Sequence, residues 1–534
     1  MANSTCSNPI QKSSRPSLNF FVSASFVFVL CLFFEPRWET NDDVGMSMVV
    51  HGYGIAAVGM PNLIFSNVVW GYLVRAIPQI NGVWGYSIAT IGVLIIVGTV
   101  IFYALRKLGL GWFVSLAVLI LLLARPVLFP QFTVNAGLLT LGAVICWHFY
   151  GNQENRWALI IGCLLAFCGY LVRSHEFLLV LLIALPFLPW KKLARDQTAQ
   201  ASIFILFLAI GISAFVDYQA YQGPDWQTFN ALNPARAPIT DFGADAELKK
   251  NPEILARHDY TANDIDLIRS WFFVDSNIAD PVALKAMLDD LGPIPLQGNA
   301  LTNGWIGLKT LAHPVLLPVF LVALFFLLVQ PSRKLLVTWS LCIIAIFALG
   351  ILGRPGIIRV YIPVLSLLLI APLLAHGILP RRLSQGVIVA ATVFNTIAVL
   401  SESKTAQLVS EQIRRDLNGF PQETVVAWGG VFPFEAAYPV LRQSDSALAY
   451  RLYPLGVFTH APFSLAYAEQ AAGRGMIDRL TSQSGIPIVA NEQRFGLLSI
   501  YCEEHFGGIL QELGSHQYGQ LHVSRRRCES KASQ

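Results

Sequence analysis

Residues 83–105 read VWGYSIATIGVLIIVGTVIFYAL and contain no charged side chain. A helix needs about 20 mostly apolar residues to cross the hydrocarbon core of a bilayer. The segment must be helical there, because lipid offers no hydrogen-bond partner to free backbone N–H and C=O groups. This stretch therefore predicts a transmembrane helix.

The same charge-poor pattern recurs along most of the chain. The composition agrees, because 54% of the residues are hydrophobic and only 13% are charged, which is too apolar for a soluble globular protein. The sequence predicts an α-helical polytopic membrane protein with about eleven transmembrane helices. The predicted spans are 17–34, 83–105, 108–124, 131–150, 157–172, 175–190, 200–216, 313–330, 335–352, 357–376 and 385–401.

The basic residues indicate the orientation. Short cytoplasmic loops collect Lys and Arg, and alternate loops of this chain do so if the N-terminus is inside. The prediction is an integral protein of the cytoplasmic membrane whose first span is a retained anchor. The net charge of +4 is spread over loops and tails, so nucleic acid is not expected as a partner. The basic positions are Lys12, Arg15, Arg106, Lys107, Arg156, Lys191, Lys192, Arg195, Arg333, Lys334, Arg381 and Arg382.

Three long polar stretches then fall together on the outer side, because the number of crossings is odd. They are outer loop one at 35–82, a large outer loop at 217–312 and the tail at 402–534. We therefore divide the chain into a transmembrane module, 1–401, and an extracytoplasmic domain, 402–534.

The tail has the pattern of a small α/β extracytoplasmic C-terminal domain. Strand-like runs at 424–428 and 486–490 alternate there with helix-like stretches at 403–417, 464–483 and 503–513. Cys502 and Cys528 both lie in this tail, where an oxidising compartment permits a disulfide. The sequence leaves open whether they pair, and no cysteine or histidine spacing resembles a zinc site.

Asp42 and Asp43 are the first candidates for chemistry. Two adjacent carboxylates just past a membrane span repel each other and lose solvation, a cost that a general base or a metal ligand explains. A carboxylate within reach of a hydroxyl can remove its proton during group transfer. The alternative is that both are simply solvated, or that Asp42 caps a helix beginning near Val44.

Arginines at the outer ends of spans are the second candidates. Arg173, Arg354 and Arg359 would be expensive near hydrocarbon unless partnered, at about 3 kcal/mol for a helix centre. Guanidinium groups bind phosphate through two hydrogen bonds, which makes a lipid phosphate a natural partner. The alternative is that each side chain reaches the lipid headgroups or pairs with Glu176.

This layout resembles the GT-C superfamily of polyprenyl-phosphate-sugar-dependent glycosyltransferases, whose members carry an acidic motif in the first outer loop. The resemblance covers the helical first loop with Asp42 and Asp43, seven spans before a second large loop, and a soluble outer C-terminal domain. The run from Asn230 through Arg236 to Asp241 also looks like loops of polytopic proteins from polysaccharide-type settings.

The resemblance implies that Asp42 or Asp43 is the catalytic carboxylate and that the donor is a polyprenyl-phosphate-linked sugar. The acceptor would be a glycan, a lipid or a protein. Arg236, Asp241 and Glu176 join the arginines as expected substrate-binding residues. One departure is that residues 125–131, RPVLFPQ, lack a second acidic motif, so no metal cofactor is expected, although a divalent ion stays open.

Other functions remain open at this point. A lipid-linked glycan transporter or flippase would be expected to show internal repeats or matched broken spans, and the sequence shows neither. A polysaccharide ligase or polymerase would share lipid-pyrophosphate substrates and outer arginines, but would depend less on an acidic pair in loop one. A non-catalytic envelope scaffold would use the tail to bind a partner. The substitution Asp42→Asn separates the transferase from the ligase or polymerase. A phenotype that survives Asp42→Asn, Asp43→Asn and Arg173→Ala but not deletion of the tail would indicate the scaffold.

Overall fold

A computed structural model of the chain describes residues 16–153, 155–293, 300–376, 381–441 and 450–530. Lys12 and Arg15, which contribute to the predicted orientation, lie outside these residues. Helices dominate the described part, and its strands are confined to the C-terminal tail. The fold is therefore that of a helical membrane protein with a small C-terminal sheet.

Seven helices in the described part are long and apolar enough to cross a membrane: α1 (Pro16–Phe33), α4 (Gly85–Lys107), α6 (Phe132–Gln153), α10 (Gln197–Ala220), α18 (Arg333–Ile351), α19 (Ile358–His376) and α20 (Arg381–Asp416). Two further apolar helices meet at a bend of 91° and add an eighth crossing if they form one broken span; they are α16 (Ala300–Lys309) and α17 (Leu317–Val329). Three apolar helices are shorter, namely α5 (Trp112–Leu128), α7 (Arg156–Val172) and α8 (Ser174–Ala184). Every predicted span thus coincides with helix over most of its length, while the count of eleven crossings stays a prediction.

Helix α6 lies at the centre of the membrane helices, where it contacts α4, α7, α8 and α19. Nearly all of α6 is buried, whereas most of α10 is exposed. Both are apolar all round, as expected of helices whose outer faces meet other helices or lipid. Gly137 allows the close approach of α6 to α19, because a Cβ there would lie 2.3 Å from Cβ of Pro363. Small residues serve this purpose at membrane helix contacts.

The polar layer consists of the described residues within 35–82, 217–293 and 417–530. From loop one it contains α2 (Asn41–His51) and α3 (Val68–Ala76). From the second loop it contains α11 (Gln227–Asp241), α12 (Ala244–Lys250), α13 (Pro252–Arg257), α14 (Ala262–Arg269) and α15 (Pro281–Leu291). The remaining loop helix, α9 (Trp190–Arg195), connects α8 and α10.

The described residues of the tail form a five-stranded mixed sheet, in agreement with the predicted α/β pattern. The strands are β1 (Val425–Trp428), β2 (Leu452–Leu455), β3 (Ile486–Val489), β4 (Gly508–Tyr518) and β5 (Leu521–Ser530). Their spatial order is β2-β1-β3-β5-β4, with β1 parallel to β2 and β3, and with β5 antiparallel to β3 and β4. The helices within its described residues are α21 (Phe434–Ala437), α22 (Leu465–Ala471), α23 (Met476–Leu480) and α24 (Glu492–Phe506).

One part of the tail prediction is wrong. The helix predicted at 503–513 is the end of α24 followed by strand β4. Gly507 ends the helix in the left-handed conformation, at φ +57°, which glycine adopts without steric cost. The chain then pairs with β5. Cys502 and Cys528 form a disulfide that joins α24 to β5.

The three polar stretches pack together as one layer. Trp428 of β1 donates from Nε1 to the carbonyl of Ser270 at 2.7 Å, and Tyr501 donates to the buried Asp275 at 2.7 Å. Loop one joins them, because the N–H of Leu452 donates to the carbonyl of Gly54 at 3.1 Å. These contacts place the three stretches on the same side of the membrane helices.

Helix α20 continues without a break through residues 401 and 402, where we predicted the boundary between the transmembrane module and the extracytoplasmic domain.

Candidate functional site

A cavity of about 530 Å³ opens where loop one, the second loop and the tail meet. Its walls come from parts of the chain that are far apart in sequence. Helix α2 and the end of α7 supply one wall, α11 supplies another, and the ends of β1 and β2 supply a third. The charged residues that line it are Asp42, Arg173, Arg236, Asp241, Arg354 and Arg494.

Asp42 presents a carboxylate to this cavity. It lies in the first turn of α2, which begins at Asn41, so it is not the capping residue of a helix near Val44. Its side chain is 29% exposed, and its Oδ2 atom lies 3.5 Å from Nη1 of Arg359. Burial raises the pKa of Asp42, while the charges of Arg359 and Arg173 oppose that rise. A carboxyl group whose pKa is raised is a stronger base than a free aspartate.

Asp43 is directed into the protein instead and does not line the cavity. It is completely buried and accepts three hydrogen bonds. The donors are the hydroxyl of Tyr86 at 3.0 Å, the N–H of Phe132 at 3.0 Å and the hydroxyl of Thr40 at 3.1 Å. Burial raises the pKa of Asp43 to about 8. These contacts tie α2 to α4 and α6.

Arg173 and Arg354 line the cavity at the ends of membrane helices. Arg173 donates to the carbonyl of Phe65 at 3.2 Å, and its guanidinium lies 5.8 Å and 5.1 Å from the ring centroids of Phe65 and Phe132. Burial lowers the pKa of Arg173, and the nearby charges of Arg359 and Arg354 lower it further. Within the described residues, neither Arg173 nor Arg354 forms an ion pair with a carboxylate.

Glu176 is close to this cluster but does not line the cavity. It lies in the first turn of α8, where its side chain is buried and its Oε1 atom has no hydrogen-bond partner among the described residues. Its electrostatic interaction with Arg173 partly opposes the lowering of the pKa of that guanidinium. Glu176 therefore influences the cavity through Arg173.

Arg236 and Asp241 form an ion pair on the wall supplied by α11. Nη1 of Arg236 lies 3.1 Å from Oδ2 of Asp241, and the guanidinium also donates to Asn233 and Thr240. Its carbon centre lies 4.4 Å from the ring centroid of Trp271. Trp271 has φ +68°, a backbone strain of about 1–3 kcal/mol that is typical of ligand sites.

The structure thus brings Asp42, Arg173, Arg236, Asp241 and Arg354 to one cavity, with Arg359 next to Asp42. Sequence reasoning missed the contribution of the tail. Gly429 and Gly430 follow β1, and Arg494 lies in the first turn of α24, just after β3. The two glycines directly after a buried strand were the available signal, because strand ends followed by glycine often approach ligands.

The one group of described residues that could hold a metal ion lies outside the cavity. Asp264, Glu504 and His505 bring ligand atoms within 4.8 Å of one another, but none of these residues lines the cavity. Asp264 is already engaged by the N–H of Thr261 at 2.9 Å and by His505 at 2.9 Å. The carboxylates that line the cavity, Asp42 and Asp241, are each paired with an arginine. This donor set suits an anion better than a divalent cation.

No family model matches the chain, and no characterised protein or solved structure matches it significantly. The fold and the cavity define a helical membrane protein with an arginine-rich site in its polar layer. Its function must therefore be argued from that site.

Proposed function

We propose that the protein is a GT-C-type membrane glycosyltransferase that moves a sugar from a polyprenyl-phosphate donor to an acceptor hydroxyl on the extracytoplasmic face. One observation carries this proposal. A carboxylate, Asp42, and two arginines without carboxylate partners among the described residues, Arg173 and Arg354, line the same cavity. A base and an anion-binding pair are what transfer from a lipid phosphate requires.

In the proposed reaction, Asp42 takes the proton of the acceptor hydroxyl. The acceptor oxygen forms a bond to the anomeric carbon while the bond from that carbon to the phosphate oxygen breaks. The phosphate leaves with the electron pair, and Arg173 and Arg354 stabilise its charge. Attack from the side opposite the leaving phosphate predicts inversion at the anomeric carbon.

The neighbouring charges support this arrangement. Arg359 lies within 3.5 Å of Asp42 and favours its ionised form, which is the form that accepts a proton. Glu176 does not line the cavity, so it would act on the substrate only through its electrostatic interaction with Arg173. Arg236 and Asp241 would contact the sugar or the acceptor from the wall supplied by α11. Asp43 would hold α2 in place through its buried hydrogen bonds from Tyr86 and Phe132.

The test is sugar transfer in membranes that contain the protein, measured with a panel of radiolabelled polyprenyl-phosphate sugars. We expect turnover with at least one donor and a loss of about 10²–10⁴-fold in Asp42→Asn, which is the usual contribution of a general base. Asp289→Asn is the matched control, because Asp289 is exposed on α15 and does not line the cavity. Absence of turnover with every donor, or full activity in Asp42→Asn, would rule the proposal out.

A polysaccharide ligase is the second candidate, because the same arginines would bind a lipid pyrophosphate. The two activities differ in donor. A ligase would release product only from pyrophosphate-linked glycans, and Arg354→Gln would impair it more than Asp42→Asn. The donor panel therefore includes both phosphate and pyrophosphate carriers.

A further inference from the structure

The tail approaches the cavity with the carboxyl ends of its parallel strands. Strand β1 lies between β2 and β3, so the chain leaves β1 to one side for β2 and returns to the other side for β3. This reversal creates a crevice between the ends of β1 and β3. In open α/β sheets, ligands bind outside the carboxyl ends of the strands at such a reversal.

The residues at this crevice line the cavity. Gly429 and Gly430 directly follow β1, and Arg494 lies in the first turn of α24, after β3. Nη1 of Arg494 donates to the carbonyl of Trp428 at 2.8 Å. Gly429 has φ +63°, and a Cβ there would lie 2.7 Å from Nη2 of Arg494. Glycine is therefore needed for the guanidinium to occupy the crevice.

Arg494 has hydrogen-bonding capacity to spare. It is half-buried, and among the described residues it forms no ion pair with a carboxylate. A guanidinium carries five N–H donors in a planar fork that fits phosphate or carboxylate oxygens. The amino end of the 15-residue helix α24 adds a positive potential at the same place.

The charges around the cavity leave room for a second anion. Among the described residues, four arginines and two aspartates line it, which leaves two positive charges. A sugar linked to one polyprenyl phosphate carries a single negative charge, because that phosphate is a diester. One positive charge therefore remains when the donor is bound at Arg173 and Arg354.

We propose that the crevice of Gly429, Gly430 and Arg494 binds an anionic group, a phosphate or a carboxylate, that belongs to the acceptor. This inference rests on the proposed transferase function and names the chemical class of its second substrate. The membrane helices would then bind the donor phosphate, and the α/β tail would select the acceptor.

The first test counts anion sites and does not need turnover. The binding of inorganic phosphate to the full chain in lipid nanodiscs is measured by isothermal titration calorimetry. We expect two phosphate ions per chain, with one lost in Arg494→Gln and the other lost in Arg354→Gln. Arg494→Lys retains the charge and should retain both sites. Arg451→Gln is the control, because Arg451 lies in the same tail but does not line the cavity.

Two results would overturn the inference: a single phosphate site that either substitution removes, or two sites that persist in Arg494→Gln. If Arg494→Gln fails to fold, Gly429→Ala tests the same crevice, because the added Cβ would displace the guanidinium. That variant should also lose one phosphate.

The second test uses transfer itself. Arg494→Gln should raise KM for the acceptor by about tenfold or more, the usual effect of losing a charge-assisted hydrogen bond, with KM for the donor unchanged. A rise in the donor KM instead would assign the anion to the transferred sugar and overturn the acceptor assignment. If the protein shows no turnover but Arg494→Gln still removes one phosphate site, the transferase proposal is disproved. The assignment of the crevice as an anion site then stands.

Discussion

The two faces of α2 have different surroundings. One face carries Asp42, which lines the cavity and approaches Arg359. The other carries Asp43, which is buried against α4 and α6 with three donors. Consecutive residues of a helix point about 100° apart, so adjacent aspartates can serve catalysis and stability separately. Two aspartates that are adjacent in sequence therefore need not belong to the same site.

Activity should separate the two aspartates most strongly. Asp43→Asn retains a group that can accept from Phe132 and Tyr86, so we expect less than about a tenfold loss of transfer. The same change at Asp42 should cost about 10²–10⁴-fold. The measurement is the initial rate of sugar transfer at matched protein levels. Equal losses in the two variants would remove the distinction between the faces.

Stability should separate them in the opposite direction. Asp43→Ala leaves the buried donors of Tyr86 and Phe132 unpaired, which we expect to lower the free energy of unfolding by about 3 kcal/mol or more. Asp42→Ala removes one partly exposed ion pair and should cost about 0–1 kcal/mol. Chemical denaturation in detergent measures both. A larger loss in Asp42→Ala would contradict the assignment of Asp43 to the structural role.

Stability should also depend on pH through Asp43. Burial raises the pKa of Asp43 from its ordinary value of 3.8 to about 8, so the folded state binds this proton more tightly than the unfolded state does. The resulting stabilisation is complete below the unfolded pKa and is lost as pH rises towards about 8. We expect Tm to fall over that range in the wild type.

Asp43→Asn cannot titrate, so its Tm should depend less on pH than that of the wild type. Asp42→Asn should retain the dependence that comes from Asp43. Parallel curves for the wild type and Asp43→Asn would show that the slope comes from other groups.

Local sequence patterns predicted some strands of the sheet and not others. The runs at 424–428 and 486–490 predicted β1 and β3, because each is a short apolar stretch rich in β-branched residues. Strand β2, with the sequence LYPL, was missed because proline is unusual in strands. The first part of β4 was predicted as helix, because its sequence GILQELGSHQY has few β-branched residues and its strand conformation depends on pairing with β5.

Some residues of the candidate site could be proposed from the sequence, and others could not. Asp42, Arg173 and Arg354 could be proposed because charged residues next to apolar spans are costly and therefore conspicuous. Arg494 could not, since an arginine in a polar tail is ordinary until the fold places it at the end of β1. The buried position of Asp43 was equally hidden, because it depends on Tyr86 and Phe132 from other helices.

The sequence by itself determined that the chain is a helical membrane protein with three long polar stretches. Hydrophobicity over about 20 residues is a local property, and lipid enforces helix on any segment that crosses it. Only the tertiary structure decided which aspartate faces the cavity and that the tail completes its wall. Those facts depend on contacts between distant parts of the chain, and packing alone determines such contacts.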